Sequence, residues 1–455
     1  MKKTLIALAA IAAVSAAQAE VTLYGVIDIG ISTTSNQLSS DANNPANSNF
    51  YPSTKQTGTT GRQTGFTNGG LTPSRWGVKG SENLGDGLKA NFVLEGRIQP
   101  AAGTNPNDHA LLATKSSDSN YGAGDSAING GIFDSQSTLG LSGGFGSIDF
   151  GYQLNLQGQV SGSFDPFGGG YVSPLGTYGG LSGGGSSYTG RTSNAIKYQT
   201  TMGSTQVKAF YVIGGNTGNS GQGTQLGLAL QQAVTPTANI AFVAQKFNDN
   251  VSFGAASSSS SNVVNSGSQV PLLSAVFYNS TTASLMGDFQ ATSTLKLMAG
   301  YQSIVQSNPS NATADATSTS QVLGIPVDSV AYYGTNVNKY VTNATTTVTW
   351  LGGIYDLSNV SRVRFGYYQR VLGAYTANTK TSADSFLYAK NNQNIFAAMY
   401  DYDLSKTTDV YAYGILNQYD SAGGSTSSTT APQSQWSGLA GLNINQFGVG
   451  MRMKF

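Results

Sequence analysis

The stretch Phe447-Gly-Val-Gly-Met-Arg-Met-Lys-Phe455 at the end of the chain alternates large apolar residues with glycine or basic residues. Successive side chains of a β-strand point to opposite faces, so this stretch has one apolar face and one polar face. The same alternation recurs along the chain at Val21–Ile31, Arg75–Lys79, Leu88–Arg97, Ile148–Tyr152 and Arg362–Tyr368. The sequence therefore predicts many strands that are apolar on one side and polar on the other.

The composition places these strands in a membrane rather than in a soluble domain. Only 10% of the 455 residues are charged, whereas soluble domains carry roughly 25%. The 58 Gly, 24 Tyr and 19 Phe favour sheets and turns. The chain has no Cys and a single His, His109, so it cannot form a disulfide scaffold, a thiolate zinc site or a histidine metal cluster. We expect no metal, no cofactor and no enzymatic activity.

The N-terminus has the pattern of a secretory signal peptide. Lys2 and Lys3 precede an apolar run, and Ala17-Gln-Ala19 provides the small residues that a signal peptidase recognises. The sequence predicts a cleaved signal peptide over residues 1–19 and one barrel domain over residues 20–455. Cleavage leaves 21 basic residues (23 − 2) against 22 acidic ones. A nearly neutral chain is a poor partner for nucleic acid.

The connections between the predicted strands alternate between short and long. Seven short turns rich in Gly, Asn, Ser or Thr are predicted at 83–87, 143–146, 201–204, 232–237, 291–293, 357–359 and 405–408. Eight longer polar loops are predicted near 32–71, 100–132, 154–190, 214–224, 249–282, 304–345, 372–392 and 419–435. Fifteen connections join sixteen strands, an even number that encloses an aqueous channel. Residues 271–279 could form a strand, but a single extra strand would break the even count, so we assign them to a loop.

Several motifs resemble a known family, the general trimeric porins of beta-proteobacterial outer membranes. The resemblance rests on Val21-Thr-Leu-Tyr-Gly-Val-Ile-Asp28, on Ser74-Arg-Trp-Gly-Val-Lys-Gly-Ser-Glu-Asn-Leu-Gly-Asp-Gly-Leu-Lys89, on Arg191-Thr-Ser-Asn-Ala-Ile-Lys-Tyr198 and on the terminal Gly450-Met-Arg-Met-Lys-Phe455. It implies an all-β, sixteen-stranded antiparallel transmembrane barrel with short periplasmic turns and long external loops. It also implies a trimer that passes small hydrophilic solutes without a cofactor, with the third long loop folded into the pore.

Charged residues on the polar strand faces are the candidate pore-lining residues. The third loop, residues 154–190, holds 12 Gly, five aromatic residues and one charged residue, Asp165. This glycine-rich composition suits a segment that bends closely against the barrel wall. The candidates for ion selectivity are Arg75, Lys79, Lys89, Glu95, Arg97, Asp165, Lys197, Arg362, Arg364 and Arg370. Lys208, Asp28 and Asp149 share the inward parity. Basic residues outnumber acids on these faces, which predicts a mild anion preference set mainly by Arg75, Arg97 and the row from Arg362 to Arg370 facing Asp165.

The resemblance also implies an outer-membrane location and a set of partners. These are two further copies of the chain, outer-membrane lipids and lipopolysaccharide, the outer-membrane assembly machinery, and small hydrophilic solutes and ions. The terminal Phe455 is the implied assembly signal. Asp401-Tyr-Asp403 is interpreted as flanking a turn, because it lacks the further acceptors of a calcium loop. A substrate-specific channel or a surface adhesin that uses the long Ser/Thr-rich loops stays open as an alternative.

Overall fold

The computed structural model of the protein describes residues 20–38, 60–101, 103, 132–170, 172–175, 190–214, 223–254, 274–307, 339–378, 385–388, 390–419 and 443–455. The predicted signal peptide, His109 and most of the long loops lie outside these ranges. Within them the chain is almost entirely β-strand, with one short α-helix, α1 (Leu156–Ser161), followed by a 3₁₀ turn (Gly162–Phe164). Among the described residues, no helix is both long and apolar enough to span a bilayer.

The strands of the first half of the chain are β1 (Glu20–Leu38), β2 (Thr60–Asn68), β3 (Arg75–Gly85), β4 (Leu88–Arg97), β5 (Gln136–Gly143), β6 (Gly146–Leu154), β7 (Arg191–Met202), β8 (Thr205–Val212), β9 (Gln225–Thr235) and β10 (Ala238–Gly254). Those of the second half are β11 (Ser274–Gln290), β12 (Leu295–Ser307), β13 (Lys339–Tyr340), β14 (Ala344–Ser358), β15 (Ser361–Leu372), β16 (Tyr375–Asn378), β17 (Ser385–Tyr388), β18 (Asn391–Asp403), β19 (Thr408–Tyr419) and β20 (Asn443–Lys454).

The main sheet closes on itself, because β1 pairs antiparallel with β20 as well as with the strands that follow it. Ile29–Leu38 of β1 pair with β2, and Glu20–Val26 pair with β3. The strands β2 and β3 therefore occupy one position in the barrel, interrupted by residues 69–74, which we call the inward kink. The 17 strands of the sheet thus make a closed barrel of 16, and the predicted fold class is confirmed.

The alternation read from the sequence matches the two faces of the barrel wall. In β20, the side chains of Phe447, Val449, Met451 and Met453 are exposed on the outer face, while Arg452 between them is buried on the lumen side. In a membrane barrel the outer side chains face lipid and the inner ones face the channel, so exposed apolar residues on the outer face are expected. The period of two in the sequence therefore predicts correctly which side chains enter the lumen.

The seven predicted short turns all lie between paired strands, but several strands are longer than predicted. Strand β1 extends to Leu38 and β2 begins at Thr60, inside the predicted loop 32–71. Strand β10 reaches Gly254 and β11 begins at Ser274, so assigning 271–279 wholly to a loop was wrong. These residues lengthen an existing strand and leave the count even. The extensions were missed because, beyond the bilayer, backbone pairing continues without the apolar alternation that marks a lipid-facing strand.

A second, small sheet occurs in two segments that the sequence analysis assigned to loops. Strand β16 pairs antiparallel with both β13 and β17. The segments lie within the predicted loops 304–345 and 372–392, on the side of the barrel that carries the long connections. Their sequences are too short for a periodic pattern to be recognised.

Candidate functional site

The third long connection turns into the barrel and packs against the lumen wall. Asn155 caps α1 by accepting a hydrogen bond from the backbone N–H of Gly158 at 2.9 Å. The apolar side chains of Leu156, Val160 and Phe164 are buried. They share one cluster with wall residues of β10 and β11, namely Ala241, Val243 and Met286. Burial of these side chains holds the helix against the wall inside the lumen. We call described residues 155–175 the inward loop.

Polar contacts attach the inward loop to the wall on either side of this apolar patch. The backbone N–H of Gln157 donates to the side-chain oxygen of Gln245, and Ser284 Oγ donates to Gln157 Oε1 at 2.9 Å. At the root of the loop, Lys197 Nζ donates to the carbonyl of Leu154 at 2.5 Å. Lys197, a predicted pore residue, is therefore buried and helps to hold the loop.

The tip of the inward loop is bonded to β14 and β15. Trp350 Nε1 donates to the carbonyl of Phe164 at 2.9 Å, and Arg364 Nη1 donates to the carbonyl of Pro166 at 2.9 Å. The Tyr368 hydroxyl donates to Asp165 Oδ1 at 2.5 Å. Asp165 is only 2% exposed. Burial raises the pKa of the Asp165 carboxyl, and the hydrogen bonds that it accepts oppose this shift. Asp165 was expected to face the arginine row, but its direct partner is the neutral Tyr368.

One lumen wall carries the basic candidates of β3 and β4. Arg75 Nε lies 3.3 Å from Glu95 Oε2, with 35% of the Arg75 side chain exposed. Glu95 also accepts hydrogen bonds from Tyr24, at 2.9 Å, and from Ser135. Lys79 Nζ lies 5.2 Å from the centre of the Tyr24 ring. Arg75 and Lys79 therefore keep accessible positive charge next to one well-bonded carboxylate.

Arg97 shares the lumen face of Arg75, with which it pairs in register, but its surroundings differ. It is 4% exposed, and its Nε and Nη2 both lie 2.8 Å from Asp134 Oδ2. Asp134 also accepts a hydrogen bond from the Arg97 backbone N–H at 2.6 Å. The sequence analysis did not identify this partner, because Asp134 precedes β5 in an irregular segment without a periodic pattern. Arg97 is thus an ion-paired structural residue of the wall.

An ion-pair ladder crosses β15, β18, β19 and β20, the strands that lead back to β1. Arg364 Nη2 lies 3.2 Å from Asp401 Oδ2, and Arg362 contacts both Asp401 and Asp403. Arg452 Nη2 lies 2.8 Å from Asp409 Oδ2. Asp401 and Asp403 lie at the end of β18 and flank the turn before β19, as predicted, and they also pair with Arg362 and Arg364, a pairing that the sequence analysis did not identify. Their spacing of two residues on one strand was the available signal.

The remaining predicted residues are Lys89, Arg370 and Phe455. Lys89 is exposed and pairs in register with Asn83, next to a short turn. Arg370 is half-buried and pairs in register with Gln393 and Val348. Phe455 closes the barrel: its backbone N–H donates to the carbonyl of Gly25 at 3.1 Å, and its carbonyl accepts from the Gly25 N–H at 3.0 Å. The Phe455 ring lies against Gly25 and is 53% exposed.

Comparison with known proteins agrees with this architecture. The chain is 39% identical over 175 residues to an outer membrane porin protein of Bordetella pertussis, a match that covers 38% of each chain. It therefore spans well under half the length of that relative. Among solved structures, an anion-selective porin from Comamonas acidovorans superposes with a TM-score of 0.58 at 19% identity, covering 96% of this chain and 100% of that one. The trimer form of the outer membrane protein OmpT of Vibrio cholerae gives 0.52 at 14% identity, covering 96% and 99%.

The family itself is established by a match over most of the sequence. The sequence model of the Gram-negative porins matches residues 4–422 of the 455. The relatives come from beta-proteobacteria and are outer membrane proteins, as the sequence motifs implied. With the closed barrel and its inward loop, these matches show that the chain belongs to the Gram-negative porin family of the outer membrane.

Proposed function

We propose that this protein is an outer-membrane porin that forms a water-filled channel for passive diffusion of ions and small hydrophilic solutes. The observation that carries the proposal is a closed barrel of 16 strands whose charged side chains point inward and stay partly accessible. A lumen of this kind offers a polar path through the membrane. The inward loop narrows that path.

The distribution of accessible charge supports a mild anion preference. On the wall from β3 to β8, the lumen-facing basic side chains that stay accessible are Arg75, Lys79, Lys89 and Arg191, and the accessible acids are Glu95 and Asp149. The side chains of Arg97, Lys197, Lys208 and Asp134 on the same wall are buried. On β15, β18, β19 and β20, the arginines are matched by the aspartates of the ion-pair ladder. Charge near a narrow pore selects ions at short range, so the excess on the first wall attracts anions.

We infer further that the active form is a homotrimer whose subunits contain residues 20–455, delivered after removal of residues 1–19. Strand β1 begins at Glu20, directly after the predicted cleavage site, which supports this boundary. Lipopolysaccharide and other outer-membrane lipids would surround the apolar outer face, and the assembly machinery would act on the terminal strand.

Planar-bilayer recording of the purified protein tests the proposed function. We expect ohmic insertions made of three equal conductance steps. Under a salt gradient, the reversal potential should show a modest preference for anions that grows as ionic strength falls. Folded barrels that repeatedly insert without conductance would refute the channel. A single step per insertion would refute the trimer alone, and a cation preference would refute the assignment of the basic wall.

A further inference from the structure

The inward kink, residues 69–74, is held in place by one buried carboxylate. Asp28 of β1 is 0% exposed, and its Oδ2 accepts hydrogen bonds from the backbone N–H groups of Leu71 and Thr72, both at 2.9 Å. The Asp28 backbone completes the contact, because its carbonyl accepts from the N–H of Gly69 and from Ser74 Oγ. Both ends and the middle of the kink are thus bonded to this single residue.

Two side chains from the closing strands support the same arrangement. The Tyr411 hydroxyl donates to Asp28 Oδ1 at 2.5 Å and packs against Gly70. Arg452, which pairs in register with Asp28, donates from Nη1 to Thr72 Oγ1 at 2.9 Å. The kink is therefore attached to β1, β19 and β20 at once, and its position follows from the closure of the barrel.

The kink in turn contacts the inward loop at Gly170 and Val172, which follow the tip of the loop. The Val172 N–H donates to the carbonyl of Gly70 at 3.1 Å, and Leu71 and Val172 are buried in the same apolar cluster. Gly170 approaches the backbone of Leu71 so closely that a Cβ there would collide with the Leu71 carbonyl. The other attachments of the loop are made to different strands. Gln157 bonds to side chains of β10 and β11, whereas Trp350 and Tyr368 belong to β14 and β15. The kink therefore provides a separate attachment for Gly170 and Val172.

We propose that Asp28 is a positioning residue for the inward loop and thereby sets the width of the channel. Its carboxylate orders the kink, and the kink fixes Gly170 and Val172 of the loop. The inference rests on the proposed function, since it assigns the determinant of pore width. Because Asp28 is fully buried, permeating ions do not meet its charge. Removal of the Asp28 carboxylate therefore changes the width of the pore and the stability of the open conductance level more than it changes ion selectivity.

Two substitutions of Asp28 separate hydrogen bonding from simple occupancy of the site. Asp28→Ala removes the acceptor for Leu71, Thr72 and Tyr411, so the loop detaches at this end. We expect a larger conductance level that is occupied at least about tenfold more often than in the parent, the factor for losing just one of these three buried hydrogen bonds to a charged group. Asp28→Asn should behave almost like the parent, because its amide oxygen accepts from the two N–H groups and its NH₂ donates to the Tyr411 oxygen.

The measurements are single-channel conductance and exclusion of neutral polyethylene glycols, with heat-modifiability as the check on folding. Asp288→Asn serves as the matched control: it removes a lumen carboxylate that bonds Lys296 and Asn239 and does not contact the loop. It should leave the exclusion limit unchanged. If Asp28→Ala fails to fold, Tyr411→Phe carries the test and should show the larger level with a smaller rise in its occupancy, because Leu71 and Thr72 keep their acceptor.

The possible outcomes are distinct. Folded Asp28→Ala, or Tyr411→Phe in its place, with the parent's exclusion limit and conductance levels would overturn the positioning role. An Asp28→Asn channel as wide as that of Asp28→Ala would overturn the hydrogen-bond explanation. A parent protein that conducts no ions would instead refute the proposed function, before any variant is compared.

Discussion

At the scale of single residues, Arg75 and Arg97 face each other across β3 and β4 but carry different roles. Arg75→Gln removes accessible charge and should shift the reversal potential toward cations, most strongly at low salt. Arg97→Gln leaves the Asp134 carboxylate buried without its arginine, which costs about 3–5 kcal/mol of unfolding free energy. Reversal potentials and urea unfolding in detergent measure the two effects. A larger selectivity shift for Arg97→Gln than for Arg75→Gln would contradict this division.

The arginines of β15 allow a second test at this scale. Replacing both Arg362 and Arg364 by Gln leaves Asp401 and Asp403 unmatched on the lumen wall, so the reversal potential should move clearly toward cations. The double replacement by Lys keeps the charge and is the control, with an expected reversal potential close to the parent's. If the Gln variant shows no change at low salt, the ion-pair ladder lies away from the conducting path.

At the scale of elements, the inward loop fits its wall through close backbone approach. Gly170→Ala places a Cβ against the carbonyl of Leu71 and should push position 170 and Val172 off the kink. We expect a higher and noisier conductance with an unchanged barrel. Gly162→Ala is the matched control in the same loop, because its Cβ would meet the carbonyl oxygen of Gly168 at an ordinary 3.5 Å. Equal conductance traces for the two variants would show that this approach does not set the loop position.

At the scale of the whole molecule, closure of the barrel and assembly depend on the terminal strand. Phe455→Ser should lower the amount of heat-modifiable trimer in outer membranes, because the terminal aromatic is the proposed assembly signal. The same variant refolded in detergent should reach the parent barrel, since the lost apolar burial is about 2 kcal/mol at most. Quantitative blots of membranes and refolding yields measure the two quantities.

The control for assembly is Met453→Ser on the same outer face. Met453 is 51% exposed, close to the 53% of Phe455, so both changes remove comparable apolar surface from the rim. Only the Phe455 variant should accumulate poorly in cells. Equal membrane levels of Phe455→Ser and the parent would make Phe455 an ordinary interface residue, and equal losses in both variants would assign the effect to apolar surface.

The barrel could be predicted from the sequence because each strand carries its own signal. Alternation in β1 and β20 depends only on which side faces lipid, so Asp28, Arg452 and their neighbours were placed correctly on the inner face. The strand ends beyond the bilayer and the small outer sheet could not be predicted, because there both faces meet water. Asp165 shows the limit for the site: its loop was expected inside the pore, yet its partner Tyr368 lies 203 residues away.

The sequence by itself determined the sixteen-stranded barrel, its inner and outer faces and its family, since a period of two and short polar turns are local properties. Only the tertiary structure decided which charges are free and which are paired. Arg97 with Asp134, Arg364 with Asp401 and Asp28 with the inward kink are contacts between distant segments. They arise because closure of the barrel fixes the register of every strand, and a shift by two residues would keep each alternation while breaking each of these pairs.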